Sequence, residues 1–426
     1  MAESTKKLHY GWAVMVACCL IMLMPCCFTF NAASVFYSSV AEAMGVGTGQ
    51  VGLYISVVYI TMFVALLFMG KLFEKKDARA VLTFSVVCIA VAFLIMAMTP
   101  VIYGFYAAGV LLGLGNAVIL YLMVPVLIGR WFKKNVGLLI GVGMAMTGIG
   151  GMIWSPVATS IILSSGYQTA YLMYAILSAV VGIPCALLIV RSRPSDKGLQ
   201  PFGYDAAAEA AEKEAAASTA VEGVSVQAAR KQPGALILIA LYAGLVNLGL
   251  TMNFYLPTYI NSLSSVFGDP ASAAIVGATL ASVVMFGSLI GKVVLGWTND
   301  RSVPGSVIFG LLSGIIGLLL VLFGVNISVY LVYVGGALFG VFFASATTTT
   351  PQLTRKVFGN KDYSQIYSYV TAVCAFLAAF GSAIWGFIYD FTGSFFATFA
   401  IDMGLMALCF VLAFAGMAAG KKLPRS

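Results

Sequence analysis

One lysine lies inside an apolar stretch of the chain, where its charge could bind an anion. Lys292 follows directly after the run Met285-Phe-Gly-Ser-Leu-Ile-Gly291. Burying a cation in a membrane is costly, so such a residue normally faces a cavity or a partner group. Two interpretations stay open: the ammonium group pairs with a bound anion, or the long side chain reaches the lipid headgroups at the nearby helix end.

Three acidic residues are candidates for binding a proton. Asp402 falls inside the last apolar run, whereas Glu42 and Asp390 fall close to the ends of apolar runs. A carboxyl group in a medium of low dielectric constant favours its neutral form, which carries a proton. Ordinary solvation at a helix end is the alternative for all three.

A further set of polar and aromatic residues could supply hydrogen bonds and aromatic walls to a binding cavity. These residues are Asn31, Asn116, Asn247, Asn253, Tyr59, Tyr121 and Trp154. Packing, or a position at the membrane surface, is the alternative for the tyrosines and the tryptophan.

The histidine and cysteine content argues against enzyme chemistry. His9 is the single histidine, and the eight cysteines all fall in apolar runs without a Cys-x-x-Cys pair. Metal cages, haem ligation and catalytic triads need histidines or cysteines in other arrangements. We therefore expect no enzymatic activity, no metal and no cofactor.

The composition and the placement of charge predict an all-α integral membrane protein. Apolar residues make up 61% of the chain, charged residues 9%, and the mean hydropathy is +1.01. All 23 lysines and arginines fall in segments that one topology places on the same side of a bilayer. By the positive-inside rule these segments and both termini are cytoplasmic. The net charge of +8 is dispersed over these segments, which indicates contact with anionic lipid and no nucleic-acid partner.

The intervals between basic clusters predict twelve transmembrane helices. Most intervals are long enough for two passes, because one pass takes about 20 residues. The predicted spans are 11–32, 50–70, 79–99, 101–129, 135–163, 168–190, 234–262, 271–298, 303–325, 327–354, 363–390 and 395–418.

Two six-helix bundles are expected, at 1–190 and 234–426, joined by a cytoplasmic linker at 191–233. The linker changes composition to Ala, Glu, Lys, Ser and Val, which predicts a partly helical or disordered segment. The two halves share landmarks at nearly one offset: Gly70 with Gly296, and Pro125 with Pro351. Parallel repeats of this kind indicate two bundles that rock about a site at the middle of the bilayer.

Two loops resemble a signature of the major facilitator superfamily. Gly70-Lys-Leu-Phe-Glu74-Lys75 follows the second span, and Gly296-Trp-Thr-Asn-Asp300-Arg301 follows the eighth. Both are similar to the Gly-x3-Asp-Arg loop of that superfamily, with Glu-Lys replacing Asp-Arg in the first half. The resemblance covers nearly the whole chain. It implies that the acid and the base of each loop hold neighbouring helices in one gating state.

Within the superfamily the chain is most similar to the monocarboxylate transporter and oxalate:formate antiporter branch. The similar stretches are Asn31-Ala-Ala-Ser-Val-Phe-Tyr37, Arg130-Trp-Phe-Lys-Lys-Asn-Val-Gly137, Phe358-Gly359 and Tyr389-Asp390-Phe-Thr-Gly393. The branch implies a cavity-facing arginine at the position of Lys292, paired with the substrate carboxylate. Lysine is a compact charge that cannot make the bidentate contact of arginine.

Three departures from the branch bear on the substrate and on proton coupling. Animal-type monocarboxylate transporters have a lysine where Asn31 stands and an acid where Ser288 stands. The oxalate carrier has a second intramembrane lysine on its eleventh span, and 363–390 contains none. A single buried cation suits a monoanion better than a dianion.

The function expected from the sequence is secondary active transport of a small organic anion of the monocarboxylate type across the cell membrane, plasma or inner. Antiport, proton symport and uniport all stay open, and the chain is expected to work as a monomer. One alternative is a carrier or exporter of a larger hydrophobic or aromatic carboxylate, or of an uncharged compound. A transporter-like membrane sensor is the alternative that does not transport.

Overall fold

The computed structural model describes residues 9–204, 223–359 and 361–424, except the side chains of Leu67, Gly70, Lys71, Glu74, Lys75, Gly137 and Ser364. Its secondary structure in this part of the chain is helical, apart from turns, short extended segments and two isolated β-bridges. The α-helices are α1 (Tyr10–Ile21), α2 (Cys27–Phe30), α3 (Tyr37–Met44), α4 (Thr48–Lys75), α5 (Ala78–Met98), α6 (Ile102–Val118), α7 (Val124–Trp131), α8 (Val136–Leu177), α9 (Val226–Lys231), α10 (Gly234–Leu250), α11 (Leu256–Ser262), α12 (Pro270–Arg301), α13 (Val303–Gly324), α14 (Val329–Phe358), α15 (Tyr363–Thr392) and α16 (Phe395–Gly420).

Several long helical stretches contain short π-helical or 3-10 segments. The π-helical segments are Met22–Cys26, Ile119–Met123, Ser178–Gly182 and Cys185–Ile189, and the 3-10 segments are Ser34–Phe36, Pro194–Lys197 and Thr251–Phe254. Pro25 lies inside the first π-helical segment, where its missing N–H opens the α-helical ladder. Such segments let one apolar stretch bend without leaving the membrane.

Eleven stretches among the described residues are long and apolar enough to cross a membrane. One of them, Leu138–Ile189, has 52 residues. At a rise of 1.5 Å per residue it would be about 78 Å long if straight, more than twice the hydrocarbon core. Gly166 breaks it with a φ of 83° and a ψ of 164°, values open to glycine but costly for other residues. The break lies between the predicted spans 135–163 and 168–190; the count of twelve and the cytoplasmic termini stay predictions.

The helix ends define two faces of the molecule. The terminal face holds the start of α1 and the end of α16, and Gly420 lies against Val357 at the end of α14. The far face is the opposite end and holds the turn at Gly45 and the break at Gly166. Tyr103, Tyr330 and Phe391, near the far face, are 75% to 87% exposed, as expected of an aromatic belt at a membrane surface.

Close helix packing inside the second half depends on glycine. A Cβ atom on Gly287 of α12 would overlap the backbone of Ala337, and one on Gly340 of α14 would overlap the backbone of Val284. The two helices therefore approach to backbone contact, as small residues permit in lipid. Between the halves, α4 packs against α15 and α8 packs against α12.

The described parts of the linker lie against the terminal face of both halves. Phe202 exchanges backbone hydrogen bonds with Trp131 and Lys133 of the first half. The N–H of Val224 donates to the carbonyl oxygen of Phe358 in the second half, at 2.7 Å. Short helical segments occur at 194–197 and 226–231, while the alanine-rich run predicted to be helical or disordered lies outside the described residues.

Candidate functional site

The two halves are hydrogen-bonded to each other at the far face. The backbone N–H of Thr48 and that of Gly49, which start α4, donate to the two carboxylate oxygens of Asp390 in α15, at 3.1 and 2.8 Å. The Thr48 hydroxyl adds a bond of 2.9 Å to the same carboxylate. An anion at a helix N-terminus satisfies free N–H groups and the positive end of the helix dipole. Asp390 therefore caps a helix of the opposite half.

Further polar contacts join the halves near the same face. The Tyr255 hydroxyl donates to the carbonyl oxygen of Thr48 at 3.2 Å, and the Tyr37 and Ser382 hydroxyls lie 2.9 Å apart. The ring of Tyr37 stacks on that of Phe254, with 5.8 Å between centroids. These contacts close the far face.

Toward the terminal face, α8 and α12 separate. Gly151 packs against Met285, and a Cβ atom on Gly148 would lie 3.8 Å from the carbonyl oxygen of Met285. About two turns closer to the terminal face, Gly141 has no atom within 4 Å of its Cβ position. At the same level of α12, Lys292 is partly exposed, whereas Met285 is buried. Because α8 and α12 diverge in this direction, we interpret the space between the halves as a cleft that opens at the terminal face.

Lys292 lies on the cleft side of α12. It is about two turns from Met285, and seven residues return a helix nearly to the same face. The opposite side of the helix carries a strongly exposed apolar stripe, as a lipid-facing surface does. That stripe consists of Phe286, Ile290, Val293 and Trp297, which are 43% to 71% exposed. The position of Lys292 away from this stripe favours a cavity-facing ammonium group over one that reaches the lipid headgroups.

The Lys292 ammonium group has no partner among the residues that the structure describes. Within the part of the chain that the structure describes, the one ion pair joins Arg79 to Asp77, at 2.6 Å. Ser288, one turn before Lys292, is buried and uncharged. A partly buried cation without a carboxylate is costly, so an anion entering the cleft would be stabilised there.

Asn31 lies where the cleft closes. The Cβ position of Gly151 is 3.0 Å from the Cβ of Asn31 and 2.7 Å from the Cγ of Met285. The helical stretch that begins with α1 is interrupted at Asn31, and the one that begins with α10 passes into a 3-10 segment that contains Asn253. The first long helix of each half is therefore interrupted next to an asparagine. Broken helices at membrane depth commonly line binding cavities, because their free backbone groups need polar partners.

The predicted aromatic residues lie in different surroundings. The Tyr59 ring lies 5.6 Å from that of Phe30, the neighbour of Asn31, and Tyr121 is 46% exposed. Trp154 packs edge-on to Phe28 at 5.4 Å, and its buried indole N–H has no acceptor.

Two predicted asparagines have hydrogen bonds within their own bundles. Asn116 is fully buried, and its amide nitrogen donates to the Thr29 hydroxyl and to the carbonyl oxygen of Leu112. The amide nitrogen of Asn247 donates to the carbonyl oxygen of Ala243 at 2.9 Å. Their role in binding substrate stays a prediction, and these contacts show helix stabilisation.

The second signature loop does not pair its acid with its base. Asp300 is exposed and has no partner among the described residues, while the Arg301 guanidinium stacks on Trp297, 3.5 Å from the ring centroid. Instead, the amide nitrogen of Asn299 donates to the carbonyl oxygen of Thr348 in α14, at 3.4 Å. Asn299 lies inside the signature, next to the acid for which the resemblance implies this kind of contact. The Cβ position of Gly296 faces open space.

The first signature loop falls at the end of α4. Gly70, Glu74 and Lys75 are helical there, but their side chains lie outside the described residues. The contacts predicted for them stay predictions.

The three candidate proton sites differ sharply in burial. Glu42 is exposed in α3, and Asp390 is exposed and engaged in the far-face contact. Asp402 is fully buried in α16, and neither carboxylate oxygen has a hydrogen-bond partner. Only Asp402 therefore lies in surroundings that strongly favour a neutral carboxyl group. The residues described contain no cluster of three or more His, Cys, Asp or Glu that could hold a metal ion.

Two helical halves that contact at one face and part at the other define a multi-pass membrane transporter fold. The family model described as Major Facilitator Superfamily matches residues 19–278 and 261–425, and the chain belongs to this family. The division of the chain into two bundles, at 1–190 and 234–426, stays a prediction.

Two curated relatives are also named as transporters of this superfamily. The uncharacterized MFS-type transporter YcxA of Bacillus subtilis (strain 168) is 24% identical over 165 residues, 38% of this chain and 40% of the relative. The MFS-type transporter pynF of Aspergillus niger (strain ATCC MYA-4892 / CBS 513.88 / FGSC A1513) is 24% identical over 191 residues, 44% of this chain and 43% of the relative. The matched region thus spans about two fifths of the length of each relative.

Two solved structures share the fold over nearly the whole chain. A bacterial homolog of the human lysosomal transporter Spinster, in an inward-facing and unoccupied conformation, has a TM-score of 0.67 at 15% identity, covering 99% of this chain and 98% of that one. The nucleoside transporter NupG has a TM-score of 0.69 at 12% identity, covering 95% and 99%. At these identities the likeness shows the fold alone.

Proposed function

We propose that this chain is a secondary active transporter of a small organic monoanion, of the monocarboxylate type, that works by alternating access in the cell membrane. The two bundles, 1–190 and 234–426, would rock about the cleft, with the linker 191–233 spanning their terminal face. The chain would act as a monomer and would bind the anion without a cofactor.

The observation that carries this proposal is the position of Lys292. Its ammonium group is partly exposed on the cleft side of α12 and has no counter-ion among the described residues. A carboxylate bound beside it would gain charge-assisted hydrogen bonds, which are stronger near the low-dielectric protein interior than in bulk water. One cation balances one negative charge, which supports a monoanion as substrate.

Asn31 supports the same substrate class. It lies at the closed end of the cleft, about two turns of α12 from the level of Lys292. An amide side chain can donate to a carboxylate or hydroxyl oxygen without adding a second charge. A short acid with a polar substituent would fit between a cation and a neutral donor.

Ligand-induced stabilisation of the purified protein tests the proposal. A ligand that binds only the folded state raises the melting temperature, and the rise grows with the logarithm of ligand concentration above the dissociation constant. The panel would contain short monocarboxylates, oxalate, bulky aromatic acids and uncharged amide analogues. We expect stabilisation by at least one short monocarboxylate and none by its amide.

Lys292→Gln and Lys421→Gln are the matched variants. Lys421 lies at the terminal end of α16, outside the cleft, so its replacement removes a positive charge without touching the site. Loss of one partner of a buried charge pair should weaken binding at least about tenfold for Lys292→Gln only. Equal binding by both variants would reject the assigned role of Lys292, and stabilisation by amides alone would favour an uncharged substrate.

A further inference from the structure

The carboxyl group of Asp402 is buried in the second half and has no hydrogen-bond partner among the described residues. It lies about two turns from the start of α16, its side chain is 0% exposed, and both of its oxygens are unpartnered. An ionised carboxylate without partners is very costly in a medium of low dielectric constant. In this conformation the group is therefore a neutral carboxylic acid, which means that it holds a proton.

The surroundings of Asp402 leave space for the acid and supply no counter-charge. A Cβ atom on Gly249 of α10 would lie 2.8 Å from Oδ1 of Asp402 and 3.4 Å from the Phe342 ring of α14. On the α13 side, Gly314 faces Met406 and Phe342. Glycine at 249 thus makes room for the carboxyl group inside the second half.

The titratable side chains beside Asp402 on α16 and α10 are a thiol and a phenol. Cys409 lies about two turns after Asp402 on α16, and its Sγ donates to the carbonyl oxygen of Tyr242 in α10, at 3.9 Å. Tyr242 is the titratable residue of α10, and its side chain is fully buried. Phe342 of α14 and Gly314 of α13 present no titratable group. No lysine, arginine or histidine among the described residues pairs with Asp402.

Asp402 lies beside a break in α10 that reaches the far-face contacts. One residue after Gly249 the α-helix ends, and the 3-10 segment Thr251–Phe254 follows. The indole N–H of Trp385 donates to the Thr251 hydroxyl at 3.0 Å and holds this segment. Its end, Phe254, stacks on Tyr37 of the first half. The carboxyl group and the contacts that close the far face are therefore joined by a few residues of irregular backbone.

We propose that Asp402 is a proton-binding site of the transport cycle. In this proposal the protonated acid stabilises the state in which the far face is closed. Protonation forms an O–H bond on one carboxylate oxygen with a proton taken from hydronium, and water is left. Loss of that proton leaves a charge that needs water or a donor, so α10 and α16 must rearrange and the 3-10 segment moves with them. A metal ion would need several oxygen ligands, and only one carboxylate is present here.

This inference deepens the proposed transport function by naming the coupling ion of the same carrier. A proton that accompanies the anion would make the net movement electroneutral. The anion neutralises Lys292 in the cleft, while the proton neutralises Asp402 inside the second bundle. Because the two sites are separate, the role of Lys292 and the role of Asp402 can be tested separately.

Infrared spectroscopy of the full-length protein in lipid vesicles tests the protonation directly and needs no substrate. The difference spectrum between wild type and Asp402→Asn at neutral pH should contain the carbonyl stretch of a protonated carboxylic acid, shifted in heavy water. Asparagine copies the shape of the neutral acid, so the variant should fold. A difference confined to ionised carboxylate bands, or no difference, would overturn the inference.

Electron paramagnetic resonance tests the link between Asp402 and the far face. Spin labels would be attached at Tyr103→Cys and Tyr330→Cys, one in each half, and Cys19→Ser would remove a partly exposed cysteine that could also react with the label. We expect alkaline pH to lengthen the label separation in wild type, and Asp402→Asn to stay at the short separation at all pH values. A pH response of equal size in both proteins would overturn the link, and so would the absence of a response in wild type. If instead the proposal of anion transport were wrong, no acid would raise the melting temperature, and the infrared and paramagnetic resonance results would stay as expected.

Discussion

The carboxylate of Asp390 accepts a hydrogen bond from the backbone N–H of Thr48, 342 positions earlier in the chain, at 3.1 Å. Together with the bonds from the Thr48 hydroxyl and the Gly49 N–H, this makes one acidic side chain the cap of a helix in the other half. Capping by a carboxylate stabilises a helix only while the two groups stay together. The contact therefore stabilises the state in which the far face is closed.

Asp390→Asn should open the far face. The amide keeps one acceptor oxygen but loses the charge and the second acceptor, at a cost of about 1–2 kcal/mol to the closed state. Such a change moves a two-state population roughly five- to thirtyfold. Spin labels at Tyr103→Cys and Tyr330→Cys should report longer separations in the variant.

Asp269→Asn is the control for that measurement. Asp269 also caps a helix near the far face, but its carboxylate accepts from Ser272 of its own half, at 2.8 Å. Its replacement should leave the label separation unchanged. An equal widening in both variants would mean that the far-face contact does not hold the halves together.

Gly386→Ala should separate the same two helices by steric contact. A Cβ atom at this position would overlap the Cα of Gly49 and the hydroxyl oxygen of Tyr255. Because the clash is with backbone, α4 and α15 must move apart at the far face. Gly141→Ala, whose Cβ would face open space, should leave the separation of the spin labels as it is. Short label separations in Gly386→Ala would contradict the close packing described for this face.

Gly249→Ala should destabilise the second half. The new Cβ would lie 2.8 Å from Oδ1 of Asp402, and overpacking of a tight site typically costs about 1–3 kcal/mol. Gly404→Ala adds the same methyl group to α16 where nothing lies within 4 Å, so its melting temperature should be equal or higher. Thermal unfolding in detergent compares the two. Equal melting temperatures would mean that the space around Asp402 is not limiting.

Asp77 should give the stability a pH dependence at the terminal face. Its carboxylate accepts from the Arg79 side chain and backbone N–H and from the Ser192 hydroxyl, and these bonds lower the pKa of Asp77 below its ordinary value. The stabilisation is therefore complete above the unfolded-state pKa and is lost as the pH falls through the lower folded-state pKa. Asp77→Ala should cost about 1 kcal/mol at neutral pH, reduced by solvent screening.

The measurement is the melting temperature of wild type and Asp77→Ala over a pH series. The difference between the two should shrink in acid, because the protonated wild-type group no longer accepts the same bonds. Glu42→Ala, at an exposed site without a described partner, should follow wild type at every pH. A constant difference for Asp77→Ala would reject the linkage.

The sequence predicted the helices better than the contacts between them. Hydropathy and basic clusters place the spans because each helix must satisfy its own backbone in lipid, a local requirement. The predicted spans 135–163 and 168–190 leave a turn around Gly166, and the structure has a positive φ of 83° at this residue. Lys292 could be chosen because a cation in an apolar run is unusual at any position.

The contacts that needed the structure join residues far apart in sequence. Asp390 was predicted as a proton site, and nothing in its neighbours indicates that it caps α4. Asn299 lies within a recognised signature but takes the interhelical contact expected of Asp300. The space that Gly249 leaves for Asp402 depends on how α10 and α16 pack, which one sequence does not specify.

Counterflow in proteoliposomes tests the central claim most directly. Vesicles preloaded with one unlabelled acid would receive the same labelled acid, with short monocarboxylates, oxalate and bulky acids as the panel. The account predicts transient accumulation of a short monocarboxylate but not of oxalate, retained in Lys421→Gln and lost in Lys292→Gln. Counterflow of that acid at wild-type rates in Lys292→Gln would contradict it.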